Sequence, residues 1–297
     1  MIDKLEFLLA LAREKHFGKA AEVCGVTQPT LSAGVKQLEN TFGVLLVNRG
    51  SRFQDFTPEG ERVLEWARRI VGDARAMREE VHALKHGLAG RLRIAAIPTT
   101  LAMIETLTTP YRERHPDVQF SVLSRNSVEV LHLLENLEID AGVTYLDNEP
   151  LSRVTKVPLY RERYRLLIST DSPLGSREKV TWAEVAQIPL CLPTPEMQSR
   201  RIIEGLLRDA GGDPQPTLES NSMILLYSHV RTGRWASVMP APLAATLGLT
   251  DVLRAIPIVE PDASHTIGLV VAAREPMTPL TAALVAEARR VAPSLAD

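Results

Sequence analysis

Five hydrogen-bonding side chains recur on one side of a predicted helix near the N-terminus. They are Gln28, Thr30, Ser32, Lys36 and Gln37. Leu31, Val35 and Leu38 recur at helical spacing, so the opposite face is apolar and buried. An exposed face of amide, hydroxyl and ammonium groups can read the hydrogen-bonding edges of DNA bases.

A turn and a cap must position this helix. Gly25 suits the left-handed geometry that ends a preceding short helix, Thr27 can cap the next helix with its hydroxyl, and Pro29 fits the first turn. Two short helices joined by such a turn are typical of a helix-turn-helix that enters the DNA major groove. A purely structural helical hairpin is the alternative.

The next segment, "LLVNRGSRFQDFTPEG", predicts a β-hairpin. Residues 45–47 and 53–56 flank the turn-forming "NRGS". Such a wing would hold Arg49 and Arg52 near DNA phosphates. Between positions 26 and 54 three basic residues oppose one acidic residue, so any nucleic-acid surface is a local patch. A solvated surface hairpin is the alternative.

Thr57 and Pro58 repeat the pattern of a cap followed by proline and begin a long helix. Apolar residues recur along it at alternating spacings of four and three: Val63, Ala67, Ile70, Ala74, Met77, Val81 and Leu84. So narrow a stripe suits pairing with another helix, which predicts a dimer. Burial in the core of the same chain is the alternative.

From residue 90 onward, short apolar runs alternate with amphipathic stretches such as 128–137 and 199–209. The runs cover residues 92–97, 118–124, 140–145, 164–169, 189–193, 236–240 and 267–272. This alternation predicts an α/β domain with mainly parallel sheets. Its length of about 200 residues suggests two lobes.

Polar residues follow these predicted strands, at the edge where open α/β sheets bind ligands. They are Thr99, Thr100, Asn126, Ser127, Thr144, Tyr145, Gln198, Asn221 and Ser222. Hydroxyl groups and helix-start amides with few charges favour a small anion such as a carboxylate. Each residue could be a simple helix cap, but their coincidence at one edge favours a shared pocket.

The composition predicts a cytoplasmic protein without a metal or a cofactor. Of 297 residues 45% are hydrophobic, and no apolar run has membrane-spanning length. The two cysteines, Cys24 and Cys191, lie far apart and outside any Cys/His cluster. No glycine-rich phosphate loop, HExxH or GxSxG pattern occurs, so an enzyme is not expected. A DNA-binding domain fused to a small-molecule enzyme domain is the alternative.

The segment "FGKAAEVCGVTQPTLSAGVKQLENTFGVLLVNR", followed by "FTPEG", resembles the LysR-type transcriptional regulators. The resemblance implies an all-α winged helix-turn-helix at residues 1–58 and a dimerising linker helix at 59–88. It also implies a two-lobe α/β effector domain, like a periplasmic binding protein, at 89–297. Lobe 1 would comprise residues 89–161 and 266–297, and lobe 2 would comprise residues 162–265.

The resemblance also implies roles and partners. The residues assigned to DNA are Thr27, Gln28, Pro29, Thr30, Ser32, Lys36, Arg49 and Arg52. Thr99 and Thr100 occupy a frequent effector-contacting position. The implied partners are double-stranded promoter DNA, a small anionic effector with formate as the candidate, and RNA polymerase. A homodimer that assembles into a homotetramer is also implied. The effector would shift lobe closure and thereby the spacing of the DNA-binding heads.

Overall fold

The computed structural model describes residues 1–49, 53–147, 151, 153–248 and 251–295. The chain forms two compact units. The first comprises residues 1–88, 135–138 and 274–279, and the second comprises residues 89–134, 139–273 and 280–297. Within the part of the chain that is described, no helix is long and apolar enough to cross a membrane.

The N-terminal unit is a winged helix-turn-helix with a long helix, as predicted. Its helices are α1 (Ile2–Glu14), α2 (Phe17–Val23), α3 (Gln28–Phe42) and α4 (Pro58–His86). The hairpin consists of β1 (Val47–Arg49) and β2 (Phe53–Phe56), which pair antiparallel with Val47 opposite Phe56. Gly25 and Gly43, with φ of 65° and 71°, end the two helices of the helix-turn-helix.

One apolar core holds α1, α3 and α4 together. It contains Leu5, Leu8 and Leu11 from α1, Leu31, Val35 and Leu38 from α3, and Leu64, Ala67 and Val71 from α4. The spacing of three and four residues places each set on one face of its helix. Burial of these faces leaves the start of α3 at the surface.

The C-terminal part alternates strands and helices. Its strands are β3 (Gly90–Ala96), β4 (Val118–Ser124), β5 (Ala141–Tyr145), β6 (Val154–Ser169), β7 (Val180–Thr181), β8 (Cys191–Leu192), β9 (Leu218–Glu219), β10 (Ser237–Pro240), β11 (Leu253–Val259) and β12 (Ser264–Ala272). Its helices are α5 (Glu105–Arg114), α6 (Ser127–Glu135), α7 (Trp182–Val185), α8 (Gln198–Asp209), α9 (Met223–Val230), α10 (Ala241–Thr246) and α11 (Pro279–Leu295). A short 3₁₀-helix spans Pro98–Met103.

The main sheet has the strand order β4-β3-β5-β12-β6-β11-β7, and β10 also pairs with β6. β3 pairs parallel with β4 and β5, whereas β12 pairs antiparallel with β5 and β6. The prediction of mainly parallel sheets is therefore wrong. The two long strands β6 and β12 run in opposite directions and pair antiparallel in the middle of the sheet.

Strand β6 belongs to two sets of strands. Its residues 154–163 pair with β12, and its residues 164–169 pair with β10 and β11. Separate apolar clusters pack around the second set, one of them centred on the fully buried Trp182. The sheet domain thus has two lobes connected through β6, as the alternation of strands and helices predicted.

Candidate functional site

The exposed start of α3 is the first candidate site. The Thr27 hydroxyl caps the helix, since it accepts a hydrogen bond from the Thr30 backbone N–H at 3.4 Å. Gln28, Pro29, Thr30 and Lys36 are exposed, and Ser32 is half-buried. The structure therefore presents the predicted polar face at a helix N-terminus, where free backbone N–H groups add partial positive charge.

Glu39 connects this helix to the wing. Its buried carboxylate accepts hydrogen bonds from the backbone N–H groups of Leu46 and Val47, at 3.1 and 3.3 Å. From the sequence alone, Glu39 is one acidic residue in a basic segment. Its burial near the end of α3 depends on residues 46 and 47, which pack against it in the folded protein. The side chain of Arg49 and the whole of Arg52 lie outside the described residues, so their role on the wing remains a prediction.

The start of α4 holds the wing from its other side. The Thr57 hydroxyl donates to the Leu45 carbonyl at 2.6 Å and accepts from the Gly60 backbone N–H at 2.9 Å. A Cβ atom at Gly60 would lie 2.0 Å from the Leu46 carbonyl oxygen. Only glycine therefore allows α4 to approach the wing this closely.

The predicted apolar stripe on α4 divides into two parts. Ala67 is buried in the core of its own chain, which contradicts its assignment to a dimer seam. Val63 is half-buried and packs against that core, and its place in the seam stays a prediction. Both residues lie in the first half of α4, which packs against α1 in the same core. Ala74 is also buried. The exposed remainder consists of Ile70, Met77, Val81 and Leu84.

A small polar cavity in the second unit is the other candidate site. Its walls are Ile97, Pro98, Thr99, Asn126, Ser127, Tyr145, Met197, Gln198 and Ser199. Its volume of about 10 Å³ is room for a group the size of one water molecule. Five of the residues predicted to bind the effector therefore come together: Thr99, Asn126, Ser127, Tyr145 and Gln198.

Three buried hydroxyl groups on these walls have no hydrogen-bond partner in the described structure: Thr99 Oγ1, Ser127 Oγ and Ser199 Oγ. A buried polar group left unpaired costs about 1–3 kcal/mol, so the arrangement suits a polar ligand that bonds all three. Helices α6 and α8 begin at this wall, and helix N-termini favour anions. Ser199 lies in the polar stretch 194–200 that follows the predicted strand 189–193, but only Gln198 was singled out there.

The remaining predicted effector residues lie elsewhere. Thr100 and Thr144 are buried and line neither the cavity nor the neighbouring cleft, which corrects their predicted placement in the pocket. The Thr100 hydroxyl donates to the Ile97 carbonyl at 3.0 Å. This hydroxyl is therefore occupied by the backbone within the first turn of the 3₁₀-helix. Asn221 and Ser222 line a larger neighbouring cleft, and the Ser222 hydroxyl caps α9.

A fully buried carboxyl group lies behind the cavity. The Tyr145 hydroxyl donates to Glu162 Oε1, and neither side chain is exposed to solvent. Burial raises the pKa of Glu162 to about 8, against the opposing effect of the Tyr145 hydrogen bond. At neutral pH this carboxyl is therefore mostly protonated and does not repel an anion in the cavity. Glu162 was not predicted to be functional, because it lies among charged residues in "YRERYR" and its burial depends on the strands that pack around β6.

The two cysteine thiols are shielded. Cys191 is fully buried, and its Sγ donates to the carbonyls of Leu226 and Ala236, at 3.8 and 3.5 Å. Burial raises the pKa of Cys191 to about 11 and also raises the pKa of the half-buried Cys24. Across the described ranges, no group of three or more His, Cys, Asp or Glu side chains is arranged to hold a metal ion.

A winged helix-turn-helix and a separate two-lobe domain with a polar cavity define a DNA-binding regulator of the ligand-responsive class. Residues 2–61 match the model of the bacterial regulatory helix-turn-helix proteins of the lysR family, and residues 85–293 match the LysR substrate binding domain. The chain belongs to the LysR family of transcriptional regulators.

Individual relatives extend this similarity over most of the chain. The DNA-binding transcriptional dual regulator OxyR of Escherichia coli K12 is 29% identical over 91% of this chain and 88% of its own length. The uncharacterised regulator YnfL of the same strain is 31% identical over 90% of each chain. The structure resembles a full-length OxyR variant from Pseudomonas aeruginosa with a TM-score of 0.77 and 27% identity, covering 98% of this chain and 99% of that one.

Proposed function

We propose that this regulator binds promoter DNA through the start of α3 and the wing, and that a small carboxylate changes that binding when one of its oxygen atoms enters the polar cavity. The ligand is bound and released unchanged, so the chain acts as a regulator and not as an enzyme. The observation that supports an anionic effector is the set of three unpaired buried hydroxyls beside two helix N-termini. In this proposal lobe 1 comprises residues 89–161 and 266–297, and lobe 2 comprises residues 162–265.

For DNA, the proposal assigns base contacts to Gln28 and Thr30 and phosphate contacts to Lys36, Arg49 and Arg52. The exposure of Gln28 and Lys36 on one side of α3 supports this assignment. We expect Gln28→Ala to weaken binding to a selected operator by about 1–3 kcal/mol and to relax the preference at one base pair. Arg49→Ala should weaken binding to all sequences alike and flatten its salt dependence.

Fluorescence anisotropy across a salt series, with operator and random DNA, measures both effects. Lys179→Ala, an exposed lysine of the other unit, is a control that should leave DNA affinity unchanged. Wild-type affinity in both variants would show that another face binds DNA.

For the effector, Thr99, Ser127 and Ser199 donate the hydrogen bonds, and Asn126, Tyr145 and Gln198 form the other polar walls. Thr99→Val and Ser199→Ala each remove one donor, so effector affinity should fall several-fold, since a neutral hydrogen bond contributes about 0.5–1.5 kcal/mol. Thr100→Val is the matched control, because that hydroxyl is occupied by the Ile97 carbonyl. Calorimetric titration of the variants and the control with carboxylates, formate included, measures these affinities. An equal loss of affinity in the variants and in Thr100→Val would show that the effector binds elsewhere.

We further propose a cytoplasmic homodimer that pairs through α4, assembles into a homotetramer and contacts RNA polymerase at promoters. The exposed residues Ile70, Met77, Val81 and Leu84 support the pairing, since four large apolar side chains on one helix favour a partner.

Peroxide sensing through a cysteine is the second candidate function, because curated relatives are named hydrogen peroxide-inducible genes activators. The thiolate is the reactive form of cysteine, and the raised pKa of buried Cys191 disfavours it. We therefore expect operator binding to be unchanged by hydrogen peroxide, and the Cys191→Ser variant to behave like the wild type. A peroxide response that disappears in this variant would establish thiol sensing.

A further inference from the structure

A larger cleft opens beside the polar cavity. Its volume is about 830 Å³, and the cleft shares Pro98, Asn126 and Met197 with the cavity as common walls. Sites for small organic molecules have volumes of about 300–1,000 Å³ and combine apolar walls with a few polar groups. The cleft therefore has room for the body of a molecule whose polar end occupies the cavity.

One side of this cleft is apolar. The 3₁₀-helix contributes Leu101 and Ala102, α9 contributes Met223 and Ile224, and Leu243 and Leu247 lie in and just after α10. Leu101 and Ile224 are 38% and 61% exposed. Large apolar side chains exposed in a concave site favour an apolar partner.

The charges on the other walls limit what the ligand carries at its far end. Glu129 and Glu196 face the cleft together with one basic residue, Arg125. Glu129 accepts a hydrogen bond from the Asn126 backbone N–H at 3.0 Å, and Glu196 accepts one from the Thr194 hydroxyl at 2.6 Å. The hydrogen bond from Thr194 lowers the pKa of Glu196, which keeps that carboxylate ionised. A second negative charge on the ligand would therefore be repelled.

We infer that the effector is a monocarboxylate with an apolar body. One oxygen atom of its carboxylate occupies the polar cavity beside Thr99, Ser127 and Ser199. The rest of the molecule lies in the cleft against Leu101 and Ile224. This inference rests on the proposed function and adds the ligand class. Formate places one oxygen atom in the cavity and leaves the apolar cleft empty, whereas a dicarboxylate places its second charge near Glu129 and Glu196.

A chain-length series tests the inference on the full-length protein. Calorimetric titration with formate, butanoate, hexanoate and octanoate should show affinity rising by about fourfold per added methylene until the cleft is filled. Adipate has the same number of carbon atoms as hexanoate and a second carboxylate, so it should bind at least tenfold more weakly.

Two variants test the apolar wall. Ile224→Asp and Leu101→Asp each place a charge in the cleft, and hexanoate affinity should fall by tenfold or more while formate affinity stays within twofold. Val252→Asp is the matched control, because Val252 is an exposed apolar residue outside the walls of the cleft and of the cavity. Circular dichroism checks that all three variants fold.

The outcomes separate the inference from the proposed function. If formate binds as tightly as hexanoate and Ser199→Ala weakens both, the inference is overturned and the proposed function stands. If no carboxylate of the series binds, both are overturned. If Ile224→Asp changes the sedimentation of the protein and leaves hexanoate affinity unchanged, a second copy of the chain covers the cleft and the inference is overturned.

Discussion

Single buried polar groups determine much of the local geometry of this protein. Glu39 accepts hydrogen bonds from two backbone N–H groups of the wing. The Thr57 hydroxyl donates to the Leu45 carbonyl and accepts from the Gly60 backbone N–H. Glu162 differs from both, because one of its oxygen atoms has no partner in the described structure. Such a group costs free energy when it ionises, and its protonation should therefore be measurable in the stability of the protein.

Stability should fall with rising pH because of Glu162. Its pKa is about 8 in the folded protein and 4.5 in its ordinary state, so between these values only the unfolded chain releases the proton. The free energy of unfolding therefore decreases across this window, by about 1.4 kcal/mol per unit at most. The neighbouring groups are Tyr145, Tyr160 and Tyr164, whose pKa values burial raises, and His265, whose pKa burial lowers.

Glu162→Gln should flatten this dependence and raise the stability at pH values above the window. Thermal unfolding of the full chain over a pH series measures it, with the exposed Glu178→Gln as the control. Equal pH dependence in Glu162→Gln and the wild type would show that this carboxyl ionises freely.

At the scale of elements, close approaches decide how the helices pack. Gly34 on α3 and Gly60 on α4 both lie against residues of other elements. A Cβ atom at Gly34 would lie 2.7 Å from the Phe7 ring. A Cβ atom at Gly60 would lie 2.0 Å from the Leu46 carbonyl oxygen. A glycine inside a helix normally costs about 1 kcal/mol relative to alanine. Here that cost is offset by packing that a larger residue would prevent.

Gly60→Ala should destabilise the N-terminal unit by about 1–3 kcal/mol, since the new methyl group meets backbone that has little freedom to move. Gly205→Ala is the contrasting variant, because its Cβ atom would meet no atom within 4 Å and alanine should stabilise α8 by about 1 kcal/mol. Denaturant unfolding of both variants gives the sign. Stabilisation by Gly60→Ala would contradict the close approach of α4 to the wing.

Pairing of two α4 helices through their exposed apolar residues can be tested by a charge substitution. Met77→Asp places a charge in the exposed apolar stripe, so a paired helix would bury it without a partner and the dimer should dissociate. His82→Asp introduces a charge at an exposed position outside the stripe and serves as the control. Analytical ultracentrifugation distinguishes the two variants. If the dimer persists in Met77→Asp, the exposed apolar stripe of α4 does not form the dimer interface.

At the scale of the whole molecule, the proposed regulation is a coupling between two binding equilibria. If the carboxylate changes DNA affinity by some factor, DNA must change carboxylate affinity by the same factor. We expect this factor to lie between about 5 and 150, the usual range for coupled sites. Titrations of octanoate with and without a selected operator fragment, and of DNA with and without octanoate, measure both sides of the cycle. Unchanged affinities in both titrations would show that the cavity does not regulate DNA binding.

Much of this protein could be predicted from local sequence patterns. The cap at Thr27, the turn at Gly25 and the spacing of Leu31, Val35 and Leu38 predict α2 and α3, because caps and periodicity act within one element. The same holds for α4 and for most strands. The first part of β6 escaped prediction because "VTKVPLYRER" mixes charged and apolar residues.

Which residues meet in space depends on the packing of elements that are far apart in the chain. Thr99, Ser127 and Ser199 lie on three separate elements and converge on one cavity, whereas Thr100 beside them does not. The burial of Glu162 and the division of the α4 stripe between its own core and the surface are further examples. A local pattern shows that one face of an element is apolar or polar, but which neighbour covers that face depends on contacts between residues far apart in the chain.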